Sequence, residues 1–122
     1  MADLFKSAEH KARFLAEIQR LGKVDRDGID KEYGAALLVL TADTGTWNRA
    51  ESYVESDGID WDGLLEGSHW SGGYVVLLEW AAGLFNGSMK VDPSDLMRLD
   101  EGNYELALAA LEVRRNGLRI SE

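Results

Sequence analysis

The chain has 122 residues, no cysteine, and 22 acidic against 13 basic side chains, for a formal net charge of -9. That length suits one domain, residues 1–122, able to bury a core without staples, and the missing thiols exclude disulfides and thiolate metal sites. The acidic balance excludes a general phosphate-backbone binder, whose affinity comes from Lys and Arg displacing counterions, so no direct nucleic-acid binding is expected.

No apolar signal region opens the chain, and the longest apolar run, Tyr74 to Phe85, contains Glu79 and is about half of the roughly 20 residues a membrane span needs. No membrane association is expected, and a cytoplasmic location is the default for a chain without cysteine.

In chain order, Ser7 as N-cap predicts a first helix over Ala8 to Leu21, with Phe14, Leu15, Ile18 and Leu21 on its apolar face, Gly22 closing its end, and Leu4 and Phe5 stapling its start. A second helix fits Lys31 to Ala42, although Gly34 in its second turn weakens it. A short third helix, Trp47 to Val54, takes Thr46 as its cap. Residues 55–73 are irregular and glycine-rich, with one turn of helix over Trp61 to Leu65.

The stretch SGGYVVLLEWAAGLFNG predicts a central helix, apolar nearly all round, between Ser71 as cap and Gly87 as stop. Asp92, Pro93 and Asp95 mark the start of a short helix. The last helix runs from Glu101 to Asn116, with Arg114 and Arg115 where its dipole favours positive charge and Gly117 as its stop. No run shows strand alternation. The expected fold is all-α: a single compact domain of five or six short helices around the central apolar helix.

The tetrapeptide DGID occurs at Asp27 to Asp30 and again at Asp57 to Asp60. Calcium loops of the EF-hand type need a ligand at the first position and a bidentate carboxylate at the twelfth. With Gly28 or Gly58 at the sixth position, the first falls on Lys23 or Tyr53 and the twelfth on Gly34 or Leu64. An extended alignment of the copies adds little beyond Val24 with Val54, so an internal repeat is not expected either. Each copy is expected to be a turn whose final aspartate caps the next helix, and neither metal nor cofactor is expected.

HWSGG, from His69 to Gly73, approaches the nucleophile elbow G-x-S-x-G, but His69 replaces the first glycine and no strand precedes it. Ser71 as a helix cap is the simpler reading. A small hydrolase using His69 with Glu66 or Asp62 beside Ser71 stands as an alternative. The more specific feature is that no Lys or Arg falls between Arg49 and Lys90, a window that also holds Trp61, Trp70 and Trp80. Tryptophans framed by glycine and charge are the material of binding hot spots, the alternative being that they complete a small core by filling gaps between short helices. Trp61 and Trp70 with Asp57, Asp60, Asp62 and Glu66 are therefore the expected partner-binding residues.

Three stretches, LFKSAEHKARFLAEIQ, SHWSGGYVVLLEWAAGLFNG and DPSDLMRLDEGNYELALAALEVRR, occur in that order. Together they resemble a family of small uncharacterised proteins of bacteria and bacteriophages. That resemblance implies a helical fold and a phage or mobile-element origin, and it supplies no catalytic residues. The function expected from the residues is a non-enzymatic, acidic module that binds a host or phage protein. A nucleic-acid mimic that blocks a DNA-binding protein is the alternative reading of the same carboxylates, and a homodimer through the central or terminal helix is compatible with each.

Overall fold

A computed structural model describes residues 4–118. Its elements begin where short polar side chains accept from backbone N–H groups that have no partner inside the helix. Ser7 Oγ takes the His10 N–H at 3.0 Å and starts α1, Ala8–Arg20. The chain then turns at Gly22, where φ is +71°, into a hairpin of β1, Val24–Asp25, and β2, Gly28–Ile29. Asp30 accepts from Tyr33 N–H at 2.9 Å and starts α2, Lys31–Leu40.

Asp43 starts α3, Thr44–Ala50, which tightens into a 3₁₀ turn at Glu51–Tyr53. A second hairpin follows, of β3, Val54–Glu55, and β4, Gly58–Ile59. Asp60 then caps α4, Trp61–Glu66, and Ser71 caps α5, Gly72–Asn86. Asp92 caps α6, Pro93–Leu96, and Asp100 caps α7, Glu101–Asn116. Among the described residues the fold is therefore dominated by helix, as the sequence implies, with seven α-helices where five or six are expected.

Strand structure, absent from the sequence expectation, is present in two small antiparallel pairs. Their registers match: Val24 faces Ile29 and Asp25 faces Gly28, while Val54 faces Ile59 and Glu55 faces Gly58. Each hairpin is closed from outside by the capping aspartate's own N–H, from Asp30 to Lys23 carbonyl at 2.8 Å and from Asp60 to Tyr53 carbonyl at 2.9 Å. The DGID copies thus belong to two seven-residue units, residues 24–30 and 54–60, that fold alike: a valine, an acid, a two-residue turn, Gly-Ile, and an aspartate cap. A repeat exists at this local scale. Strands of two residues are too short to show the alternation that reveals longer ones. Gly28 has a φ of +123°, a conformation glycine adopts freely, and Gly58 stays outside that region.

The centre of the molecule is α2 and not α5. All eight residues from Tyr33 to Leu40 are buried, and α1, α3, α5 and α7 pack around them. In α5 the buried residues are Leu77, Leu78, Ala81 and Ala82, with Tyr74, Val75, Val76, Trp80, Leu84 and Phe85 only half-buried. Gly34 explains part of the difference. A Cβ there would stand 3.2 Å from both Ile29 Cγ2 and Val113 Cγ1, so its absence lets α7 and the first hairpin approach closely. A residue that lowers intrinsic helicity thereby improves packing.

A helix buried to its last residue needs donors for its terminal carbonyls. Thr41 N–H and Oγ1–H both reach the Leu37 carbonyl, at 2.9 and 2.6 Å. The Leu38 carbonyl lies 2.8 Å from Nε2 of His10, a fully buried residue of α1. Because His10 Nδ1 accepts the Lys6 N–H at 2.9 Å, the ring carries its proton on Nε2 and donates it to Leu38. Arg13 Nε donates to the Thr41 carbonyl at 2.9 Å. His10→Ala leaves the Leu38 carbonyl and the Lys6 N–H without these partners and opens a cavity beside Phe5. It should cost about 2–5 kcal/mol in chemical denaturation; a loss below about 0.5 kcal/mol would contradict this role.

Candidate functional site

The acidic segment is built outward from a set of buried aromatic anchors. In α4 the sequence WDGLLE turns Trp61 and Leu64 into the core and leaves Asp62 and Glu66 exposed. Trp61 is 4% exposed and meets Phe85 edge-on with ring centroids 5.9 Å apart. Trp70 is 8% exposed, donates its indole N–H to the Leu64 carbonyl at 3.0 Å, and lies under the Arg49 guanidinium, 5.2 Å from its centroid. Both tryptophans expected to meet a partner are therefore core side chains. Their large apolar area is best satisfied between short helices that have little else to bury.

Tyr33 anchors the same segment from α2. Its hydroxyl donates to the Glu55 carbonyl at 2.6 Å, and its ring meets Phe85 edge-on at 5.0 Å with Lys23 Nζ 4.3 Å from its centroid. Burial raises its pKa above the ordinary tyrosine value, and the nearby charges of Asp57, Asp30 and Glu32 add to the rise against an opposing hydrogen bond from Gly58. Tyr53 lies over α4, where a Cβ on Gly67 would run into its hydroxyl oxygen and one on Gly63 would stand 3.1 Å from its Cε1. Glycine at these positions lets the 3₁₀ turn lie flat on α4.

The four carboxylates expected at the site do remain on the surface. Asp57, Asp60, Asp62 and Glu66 are all exposed, as are Glu51 and Glu55 beside them. Asp57, Asp60 and Glu55 line an open hollow of about 350 Å³ together with Ser52, Tyr53, Gly58 and Ile59. Asp60 also serves as a cap, with Oδ1 3.0 Å from the Gly63 nitrogen. Among the described residues none of the six carboxylates forms an ion pair, and no group of three or more His, Asp or Glu side chains is placed to hold a metal ion.

A second hollow, of about 440 Å³, lies between the N-termini of α3 and α5 and is lined by Asp43, Gly45, Thr46, Arg49, His69, Trp70, Ser71 and Tyr74. It brings His69 near Ser71, while Asp62 and Glu66 do not line it. Ser71 Oγ accepts the Tyr74 N–H at 3.5 Å, and His69 accepts from Arg49 at 3.4 Å through its backbone carbonyl. The side chains proposed for hydrolysis are thus not joined to one another by hydrogen bonds. The best-connected group in this hollow, missed in the sequence, is Asp43. Sequence spacing places the cap of α3 at Thr46; the structure puts it three residues earlier, with Thr46 as a donor to it.

Asp43 accepts from Thr46 N–H at 2.7 Å, Thr46 Oγ1–H at 2.9 Å and Tyr74 O–H at 2.8 Å. Burial alone pushes its carboxyl up, but these three hydrogen bonds, with the charge of Lys6, outweigh it and hold the group below the ordinary carboxylate value. Burial and the bond to Asp43 raise the Tyr74 hydroxyl. The Asp43–Tyr74 bond ties the start of α3 to the start of α5.

Comparison of the chain with protein-family models, with curated proteins and with solved structures finds no match. No helix among the described residues is long and apolar enough to cross a membrane.

A carboxyl whose pKa is lowered by folding contributes stability that is complete above its unfolded value and is lost as pH falls through the folded one. In Asp43→Asn, melting followed from about pH 6 down to about pH 2 should therefore show a shallower acid decline than the parent. At neutral pH the variant should be less stable by roughly 1 kcal/mol. Identical pH profiles would contradict the assignment.

Proposed function

We propose that the protein is a small acidic binding module, without an enzymatic role, that engages a basic protein through the exposed carboxylates of the second hairpin and α4. The observation that carries this reading is that Glu51, Glu55, Asp57, Asp60, Asp62 and Glu66 are all exposed within sixteen residues, with no ion pair to any described cation. The matching unit at residues 24–30 carries Arg26 in its turn and follows Lys23. Only the second copy presents acid without base.

A surface of one sign acts over a Debye length of about 8–10 Å at physiological salt, so it steers an oppositely charged partner before contact. It fixes orientation and rate of encounter more than final affinity. In this reading Trp61, Trp70 and Tyr33 make no contact with the partner. They hold a short hairpin and a six-residue helix in fixed positions, so that the carboxylates keep one spacing. The resemblance to bacterial and bacteriophage proteins directs the search for the partner to bacterial and phage proteins rich in Lys and Arg.

Charge-matched variants test the proposal. Asp57→Asn, Asp62→Asn and Glu66→Gln together should slow association with a Lys/Arg-rich peptide or protein by roughly tenfold at low salt, an effect that fades as salt rises. Glu9→Gln, Asp25→Asn and Asp27→Asn change net charge equally but lie elsewhere on exposed surface. Surface plasmon resonance of both triple variants decides the matter, because an equal effect from the two would reduce the interaction to net charge alone.

A further inference from the structure

We propose that two copies of this chain pair through α7, antiparallel about a two-fold axis near Leu108. Five residues of α7 face its own core and are buried: Asn103, Leu106, Ala107, Ala110 and Val113. On the opposite side Tyr104, Leu108 and Leu111 remain 36%, 42% and 42% exposed. With the residues one step beyond them they form a single row, Glu101, Tyr104, Leu108, Leu111 and Arg115, at alternating spacings of three and four. Such a row is the seam one helix presents to another in a left-handed pair.

Charge chooses the occupant and its direction. Glu101 and Arg115 are exposed and close the two ends of the seam, about 21 Å apart along the axis. In an antiparallel pair centred on Leu108, Glu101 of each copy meets Arg115 of the other, and Tyr104 of each lies beside Leu111 of the other. A parallel pair sets Glu against Glu and Arg against Arg. The row is thus complementary to its own reverse, which is what a two-fold, isologous contact requires.

The two edges of the seam differ. On one, the Trp80 indole donates to the Ala107 carbonyl at 2.9 Å and widens the apolar strip. On the other, Glu105 and Glu112 are exposed, and Glu105 of each copy would approach Glu112 of the other, an opposing term that keeps the association moderate. This surface is separate from the carboxylates of residues 51–66, so a dimer would carry two copies of that acidic face.

Sedimentation velocity of the full chain from micromolar to millimolar concentration should show a monomer–dimer equilibrium. Leu108→Glu should abolish the dimer while circular dichroism of the dilute monomer stays unchanged, since Leu108 points outward. Glu101→Arg should weaken association by roughly three- to tenfold, because symmetry applies each change twice, and adding Arg115→Glu should restore it. Glu105→Gln with Glu112→Gln should strengthen it. A chain that stays monomeric throughout, or a dimer indifferent to Leu108→Glu, would overturn the proposal; a charge swap that fails to restore association would overturn the antiparallel register.

Discussion

The buried C-terminus of α2 is the constraint on which the remaining structure depends. A helix with eight consecutive buried residues cannot leave its last carbonyls to water, and each one left unpaired would cost about 1–3 kcal/mol. Donors must come from adjoining parts of the same chain. Thr41 supplies its own, and α1 supplies His10 and Arg13 at the spacing of one turn. These contacts fix α1 against α2 in position and direction as well as by hydrophobic area. The N-terminal segment is drawn into the same arrangement, because Lys6 gives its N–H to His10 and its ammonium to the Asn103 side chain on α7 at 3.2 Å.

From that centre the repeated hairpin units do different work. The first leads directly into α2, and Ile29 is buried against it beside Gly34. The second is held by its own buried Val54 and by a tyrosine hydroxyl from α2, and its acidic groups face solvent. The same seven-residue pattern buries a different member in each place, Ile29 in the first and Val54 in the second, while its acids face solvent in both. Arg114 binds the molecule together on its other side by donating to the Leu84 carbonyl of α5 at 2.7 Å, which leaves Arg115 facing outward.

Helix starts were the most legible part of the sequence, because the chemistry of a cap is local: Ser7, Asp30, Asp60, Ser71 and Asp92 all accept as their spacing implies. Asp43 was missed because Thr46 offers the same local chemistry, and only the Tyr74 hydroxyl, far along the chain, decides between them. The centre was misplaced for a related reason. Hydropathy favours the large side chains of α5, whereas packing favours α2, where Gly34, Ala35 and Ala36 let neighbours approach. The sequence offers Trp61 and Trp70 both a core and an interface role, because no local signal separates an aromatic anchor in one from an anchor in the other. The carboxylates were easier, since Asp and Glu in short helices go outward unless something pairs with them.

Amide hydrogen exchange in the native protein, read residue by residue, tests the placement of α2 at the centre most directly. Amides from Leu37 to Leu40 should exchange only through global unfolding, with those of α5 no better protected and those of the second hairpin exchanging through smaller openings. If the α5 amides outlast those of α2, the centre of the molecule lies in α5, and the buried end of α2, with His10 and Arg13 as its donors, does not organise the fold.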